Sequence, residues 1–205
     1  SYVKLMAKIS PKDLTAHNAL SWLIFQKYQT GKALPPWNLA SCPSCYYRDI
    51  EITENMEAQF SCPHCGNPIY LTDIFRLHEV IDDEQGAGGV VAYTMGLLEQ
   101  TLLIHLIKTL WEIKPDLLKS ILFIKDGPLA FFGQTANLHK PVRDLIAFLA
   151  QKGGEDPCIN MVGIEKSGAF VDHAHEIKNK LKPGQALILD NDYIYKYIVP
   201  GTADP

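Results

Sequence analysis

The sequence predicts an α/β fold, a mixed sheet flanked by helices, into which a small metal-binding module is inserted. Apolar runs at 121–125 and 158–164 have the length of buried strands, and stretches of helical periodicity lie between and beyond them. Four of the five cysteines form two closely spaced pairs ahead of these runs. Strands that alternate with helices are typical of a mixed α/β sheet.

Length, composition and charge exclude several classes of protein. The 205 residues, 47% of them hydrophobic, suffice for about one domain with its own core and a small module. Nineteen basic and twenty-three acidic residues give a net charge of −4. That balance excludes a domain built on a strongly basic face, although a local basic groove is compatible with it.

Neither a membrane span nor a secretion signal is expected. The longest apolar stretch, 90–111, is interrupted by Glu99, His105 and Lys108, and no charged n-region followed by an apolar h-region opens the chain. We therefore expect a cytoplasmic protein. Because position 1 is Ser rather than Met and falls in a patterned stretch, we also expect the chain to be a piece of a longer protein.

Residues 1–38 are predicted to form an N-terminal helical segment. Ser10 is a good N-cap and Pro11 suits the first helical position. The helix is expected to run to about residue 30 and to end at Gly31, and 32–41 to form a linker.

The four paired cysteines predict a zinc ribbon over 39–71. The pairs stand in SCPSCYY and SCPHCGN and are separated by sixteen residues, which is a spacing typical of a site that holds structural Zn²⁺ through Cys42, Cys45, Cys62 and Cys65. Strands at 46–52 and 58–61 are expected to complete a hairpin. Two disulfides are the alternative, and they would require an oxidising compartment.

Two further residues bear on the cysteine site. His64 lies between the second pair of ligands, so it is a candidate to replace one of them. The fifth cysteine, Cys158, precedes an apolar strand and is predicted to be a buried core thiol.

The rest of the chain, 72–205, predicts alternating helices and strands. Thr72 is expected to cap a short helix, and a long helix should end before Pro115. Residues 190–199 fit a strand or a helix capped by Asp190 or Asn191 equally well. The predicted helices are 72–80, 90–113, 141–152 and 169–181, and the predicted strands are 121–125, 129–134 and 158–164.

Glu99 is the first candidate for chemistry. On the long helix it is surrounded, three, four and seven residues away, by apolar side chains such as Met95, Leu102 and Leu106. A carboxylate there is costly to bury unless it is paired or binds a metal. The alternatives are a Glu at the edge of the stripe and a Glu paired with Lys108 or Arg76.

Asp126 and Lys166 are the second and third candidates. Each follows an apolar strand, so both are expected at the carboxyl edge of the sheet, where ligand crevices form in α/β folds. Lys166 also precedes a helix, and a lysine at a helix N-terminus suits a phosphate. The alternatives are ordinary turn chemistry for Asp126-Gly127-Pro128 and an exposed loop lysine.

Other polar clusters point to no chemistry. His173 and His175 are two residues apart, so on a helix they lie on different faces and cannot share a metal ion. We therefore interpret this cluster as a solvated helix face, formed by Asp172, His173, His175 and Glu176. Dinucleotide-binding and P-loop glycine motifs are absent from the sequence, and so is a serine nucleophile elbow.

The long helix with Glu99 in YTMGLLEQTLL, followed by the strand ending at Asp126 in ILFIKDGPLAFF, resembles the NurA nuclease family. The resemblance extends to Lys166 in MVGIEKSGAF and covers roughly 72–201. It implies an RNase H-like core over 72–205, incomplete at both ends, that cleaves DNA with Mn²⁺ or Mg²⁺. The resemblance implies that Glu99 and Asp126 are metal ligands and that Lys166 contacts a phosphate. The resemblance also implies a homodimer that processes DNA ends in repair or defence with a HerA-type hexameric ATPase.

The chain departs from this family in two places. An Asp-Gly-Ser strand ahead of the helix is missing, since Asp49 and Asp73 occur in other contexts, and a late histidine segment is missing too. We expect a central fragment of a complete nuclease. The alternatives are a related nuclease that cuts RNA, and a catalytically inactive zinc-ribbon protein that binds nucleic acid or docks a motor.

Overall fold

The computed structural model shows a mixture of helices and small sheets, consistent with the predicted α/β class. The chain forms two compact units, a helical unit (Ser1–Ile121 and Ala130–Asn160) and a small unit (Leu122–Leu129 and Met161–Pro205). The predicted core, 72–205, contributes to both. The structure describes residues 16–29, 31, 36–54, 59–79, 86–127, 129, 137–153 and 159–199.

The first helix, α1, spans Ala16–Ile24, and the predicted N-cap at Ser10 lies outside the described residues. The helix ends before residue 30 because Gln26 adopts a left-handed conformation with φ of +43°. Its buried side chains include Leu20 and Leu23. They anchor α1 in the core of the helical unit.

The ribbon consists of two antiparallel hairpins, and each encloses one cysteine pair. Strand β1 (Trp37–Leu39) pairs with β2 (Ile50–Ile52), and β3 (Gln59–Ser61) pairs with β4 (Pro68–Tyr70). The predicted pairing of 46–52 with 58–61 is therefore wrong. Residues 46–49 have no regular secondary structure instead of forming a strand, and part of the predicted linker is β1.

A short 3₁₀ helix, Leu71–Phe75, follows the ribbon directly and buries Leu71, Ile74 and Phe75. Thr72 is not its cap, contrary to the prediction. The backbone N–H of Tyr70 donates to the Asp73 carboxylate at 2.8 Å, so Tyr70 holds the N-cap position. A second short 3₁₀ helix covers Leu77–Glu79.

Two helices complete the helical unit. Helix α2 (Gly86–Ile113) ends before Pro115, as predicted, and α3 spans His139–Gly153. The Trp111 ring meets Phe148 of α3 at a centroid distance of 5.4 Å, and Tyr28 meets Phe148 at 5.0 Å. Large fully buried side chains of these helices and of the segments directly next to them, which include a short 3₁₀ helix at Pro115–Lys119, form the core, namely Leu97, Leu118, Leu138, Leu145 and Leu149.

Helix α2 also has the length and composition of a membrane span over Gly89–Ile113, with a mean hydropathy of 1.5. We expected no stretch to be apolar enough to cross a membrane, and this expectation is not met. Glu99 and Lys108 are too few to bring the mean hydropathy of the helix below that of a membrane span. Of the most apolar stretch of this helix, 22% is buried inside the protein. Since core helices of soluble proteins satisfy the same two criteria, this property assigns no location.

The small unit is built on strands β5 (Leu122–Asp126) and β6 (Asn160–Ile164), which are neighbours in one sheet. Helix α4 spans Ala169–Ile177 and ends earlier than predicted, in a 3₁₀ turn, Lys178–Lys180. Helix α5 (Asn191–Tyr197) resolves the ambiguous segment, since the Asp190 carboxylate accepts a hydrogen bond from the Tyr193 N–H at 2.8 Å.

The first strand of this sheet is not covered on both faces, contrary to the prediction. Its side chains alternate, and Leu122 and Ile124 are 54% and 64% exposed. An apolar run of this length does not distinguish a covered face from a bare one. The predicted strand at 129–134, apart from residue 129, and Cys158 lie outside the described residues.

Candidate functional site

The two cysteine pairs sit in turns with the same hydrogen-bond pattern. In each, the N–H of the residue after the second cysteine donates to the carbonyl of the first cysteine. The N–H of the first cysteine donates to the carbonyl of the second residue after the second cysteine. The bonds join Cys42 to Tyr46 (3.0 Å) and Tyr47 (2.8 Å), and Cys62 to Gly66 (2.9 Å) and Asn67 (2.8 Å).

The four sulfur atoms are placed to bind one metal ion. The Sγ atoms of Cys42 and Cys65 are 3.8 Å apart, as are those of Cys45 and Cys62, and all four lie within 4.8 Å of one another. A tetrahedral zinc with Zn–S bonds of about 2.3 Å needs S···S distances of roughly 3.8 Å. Disulfides need about 2.05 Å, so the alternative of two disulfides is wrong.

The pKa values of two of the four thiols shift in opposite directions. The backbone hydrogen bond from Tyr47 lowers the pKa of Cys45, but burial and the hydrogen bonds with the other three cysteines outweigh it and raise that pKa to about 12. Burial raises the pKa of Cys62, but the backbone N–H groups of Cys65 and His64 outweigh it and lower that pKa to about 7. The His64 ring is stacked on Tyr47 at 5.2 Å and is not one of the clustered ligands. Within the described ranges, these cysteines are the one group of three or more potential metal ligands.

Asp126 ends one strand of the small unit and Lys166 follows the neighbouring strand, and the two side chains meet there. The Lys166 Nζ donates to the Asp126 Oδ2 at 2.8 Å, and the Gly127 N–H donates to the Ile164 carbonyl at 2.8 Å. The carboxyl ends of β5 and β6 therefore lie together. Hydrogen bonding from Lys166, and then its charge, lower the pKa of Asp126 and keep the carboxylate ionised.

The ion pair of Asp126 and Lys166 contributes little to the stability of the fold. Both side chains are about 70% exposed, at 72% and 70%, so solvent screens the attraction between them. The turn that carries Asp126 is positioned by backbone: Gly127 has φ of +89°, which favours glycine. The pair is thus accessible to a ligand from solvent.

Gly163 on β6 supports the same turn by leaving room for it. A Cβ at this position would lie 2.6 Å from the Gly127 carbonyl oxygen and 2.9 Å from the Leu129 nitrogen. We expect Gly163→Ala to lower the free energy of unfolding of the small unit by about 1–3 kcal/mol and to displace Asp126. Urea denaturation and hydrogen exchange of residues 122–127 measure the two effects.

The control is Gly96→Ala on α2, where nothing lies within 4 Å of the added Cβ. This change should be neutral or stabilise by roughly 0.5–1 kcal/mol, since alanine favours a helix interior. Equal stability and equal exchange in Gly163→Ala and the unchanged protein would contradict the close approach.

Glu99 lies on α2 in the helical unit, and its side chain is exposed. The apolar stripe around it exists but is also exposed, with Met95, Leu102 and Leu106 among its members. The Glu99 carboxylate therefore carries no cost of burial, and the expectation of a buried carboxylate is wrong. The role of Glu99 as a ligand remains a prediction.

The helix face containing the two histidines is only partly solvated. Asp172, His175 and Glu176 are exposed as predicted, but His173 is buried, and its Nε2 lies 3.0 Å from the Tyr193 hydroxyl. That contact comes from α5, a distant segment that helical periodicity does not reveal. These four residues do not form a metal-ligand group among the described residues.

Sequence reasoning missed the aromatic side chains of the cysteine turns. Tyr46 and Tyr47 are 67% and 42% exposed beside the metal site. An alignment of the two cysteine turns with each other would have singled out Tyr46, because it stands where the second turn has Gly66. The chain matches no known protein family, no curated protein and no solved structure.

Proposed function

We propose that this protein is a divalent-metal-dependent DNA nuclease that resembles NurA, has an RNase H-like core, and processes DNA ends with a HerA-type translocase. The observation that carries the proposal is the approach of Lys166 to Asp126 at the carboxyl ends of two neighbouring strands. This is the edge at which α/β sheets bind ligands. DNA, a homodimeric state and a role in repair or defence belong to the same proposal.

The chemistry of the pair suits phosphodiester cleavage. Asp126 is an exposed, ionised oxygen donor, the type of ligand that Mg²⁺ and Mn²⁺ prefer, and Glu99 is the proposed second donor. Such a metal ion, when bound, polarises a phosphoryl oxygen and acidifies water. Lys166 would exchange its contact with Asp126 for one with a phosphate of the DNA, and it would stabilise the charge that develops there.

The four-cysteine centre is proposed to hold structural Zn²⁺. Its S···S distances fit a closed tetrahedral site of four protein ligands, in which no position remains for water or substrate. Catalysis is therefore assigned to the acidic residues and not to the ribbon. The bound zinc would stabilise the two hairpins of the ribbon within the helical unit.

A nuclease assay tests the proposal. We expect the zinc-loaded protein, at its full natural length, to cleave end-labelled linear DNA in Mn²⁺ and not in EDTA. Asp126→Asn should abolish cleavage, whereas Asp116→Asn, which removes an exposed Asp outside the site, should not. Cleavage that survives Asp126→Asn would show that a different acid is required.

One observation favours a second candidate, an inactive zinc-ribbon protein that binds nucleic acid or docks a motor. The cysteine site is complete within the described residues, whereas Glu99 and Asp126 belong to different compact units. This candidate predicts no cleavage of DNA or RNA by the zinc-loaded protein under any divalent metal. Cleavage of RNA alone would instead favour the related RNA nuclease.

A further inference from the structure

The two cysteine turns share a left-handed backbone conformation at one position, and different residues occupy that position. Gly66 has φ of +73° in the second turn, and Tyr46 has φ of +59° at the matching place in the first. Glycine adopts this conformation freely, whereas a tyrosine adopts it at a cost in free energy. The first turn therefore carries a large side chain where the fold itself favours glycine.

Packing does not explain the side chain of Tyr46. It is 67% exposed, and among the described rings its neighbour is His78, at a centroid distance of 6.3 Å. Strained, exposed residues that the fold does not require are concentrated at functional sites. Tyr46 is thus a candidate for binding rather than for folding.

Tyr46 is the most exposed member of an aromatic surface. The next residue, Tyr47, is 42% exposed and stacks on His64 of the second turn, with ring planes 5° apart. This contact joins the two cysteine turns and holds Tyr47 in place. We call Tyr46, Tyr47 and His64 the aromatic end of the ribbon.

The charge of the ribbon indicates which partner this surface suits. Among the described residues 37–70, Arg48 is opposed by three exposed acids, Asp49, Glu51 and Glu54. Four thiolates around one Zn²⁺ add a net charge of about −2. This field repels the phosphates of nucleic acids and attracts cations, and an arginine guanidinium also stacks on tyrosine faces.

We propose that the aromatic end of the ribbon binds an arginine-rich segment of a partner protein. Guanidinium groups stack on Tyr46 and Tyr47, and the acidic residues of the ribbon attract the positive charge. The inference does not depend on the proposed nuclease, because it rests on residues of the ribbon alone.

Binding of labelled peptides to the zinc-loaded full chain tests this proposal. The probes are fluorescein-labelled nona-arginine, nona-lysine and a twelve-nucleotide single-stranded DNA, followed by anisotropy at physiological salt. We expect nona-arginine to bind most tightly. Tyr46→Gly should weaken it about two- to fivefold, which corresponds to roughly 0.5–1 kcal/mol for an exposed cation–π contact. The same variant should keep its zinc and unfold at an equal or higher temperature.

Two further variants keep the test decisive. Tyr46→Asn removes the ring with a residue that tolerates the left-handed conformation, so it should weaken binding similarly. Tyr197→Ala removes an exposed tyrosine of the small unit without changing the charge, and it should bind like the unchanged protein. Equal binding by Tyr46→Gly and the unchanged protein would show that charge alone accounts for the association, and it would contradict the proposed stacking on Tyr46. Tighter binding of the oligonucleotide, or loss of zinc from both Tyr46 variants, would overturn the proposal.

Discussion

Replacing Cys62 by Ser is expected to release the zinc and unfold the ribbon. Each ribbon strand has only three residues, and two-stranded hairpins of this size are marginal in water by themselves. Structural zinc contributes about 10–16 kcal/mol to the folding of zinc-finger peptides, so the loss of one ligand removes most of what holds the ribbon together. Zinc content per chain and hydrogen exchange over 37–70 are the measurements.

The fifth cysteine provides the matched control for this prediction. Cys158 lies outside both pairs, so Cys158→Ser should keep one zinc per chain and a protected ribbon. A Cys62→Ser protein that retains both its zinc and the slow exchange of Ile50, Ile52 and Ile69 would contradict the proposed centre. These three side chains are buried now and would become exposed if the hairpins opened.

Replacing Glu99 by Gln is expected to reduce Mn²⁺-dependent DNA cleavage about as severely as Asp126→Asn does. A metal ion contributes several kcal/mol of transition-state stabilisation, so each single change should lower the rate by about 10²–10³-fold or more. Because the two carboxylates are proposed to act on one centre, the double variant should be no slower than either single variant. Rates of cleavage at saturating Mn²⁺ measure this.

Glu112→Gln is the control on the same helix. Glu112 is exposed and pairs with Lys108, so its loss should leave the cleavage rate unchanged. Wild-type cleavage by Glu99→Gln would remove this residue from the site. Losses that multiply in the double variant would show that the two acids act independently.

Features set by short stretches of chain could be predicted from the sequence. The cysteine centre follows from ligand spacing, because local turns alone bring the sulfurs of each pair together. The end of α2 before Pro115 follows from the restriction that proline places on the preceding residue. The position of Asp126 at the end of a strand follows from the apolar run before it, whereas its contact with Lys166, forty residues away, was not predicted.

Features set by backbone conformation or distant contacts could not be predicted. The ribbon strands pair differently from expectation because Tyr46 and Asp49, neither of them glycine, adopt left-handed conformations. The burial of His173 depends on Tyr193, twenty residues away. The exposure of Glu99 and Ile124 depends on what covers their apolar neighbours, which periodicity does not specify.

This protein is proposed to hold a catalytic divalent metal ion at Asp126 in addition to the zinc of the four-cysteine centre. The most direct measurement is a titration of the zinc-loaded protein with Mn²⁺, followed by electron paramagnetic resonance, for the unchanged protein and Asp126→Asn. The account predicts that Mn²⁺ binds while zinc is retained, and that Asp126→Asn weakens Mn²⁺ binding by about tenfold or more. Absence of Mn²⁺ binding in the unchanged protein would contradict it and favour the zinc-ribbon binding protein.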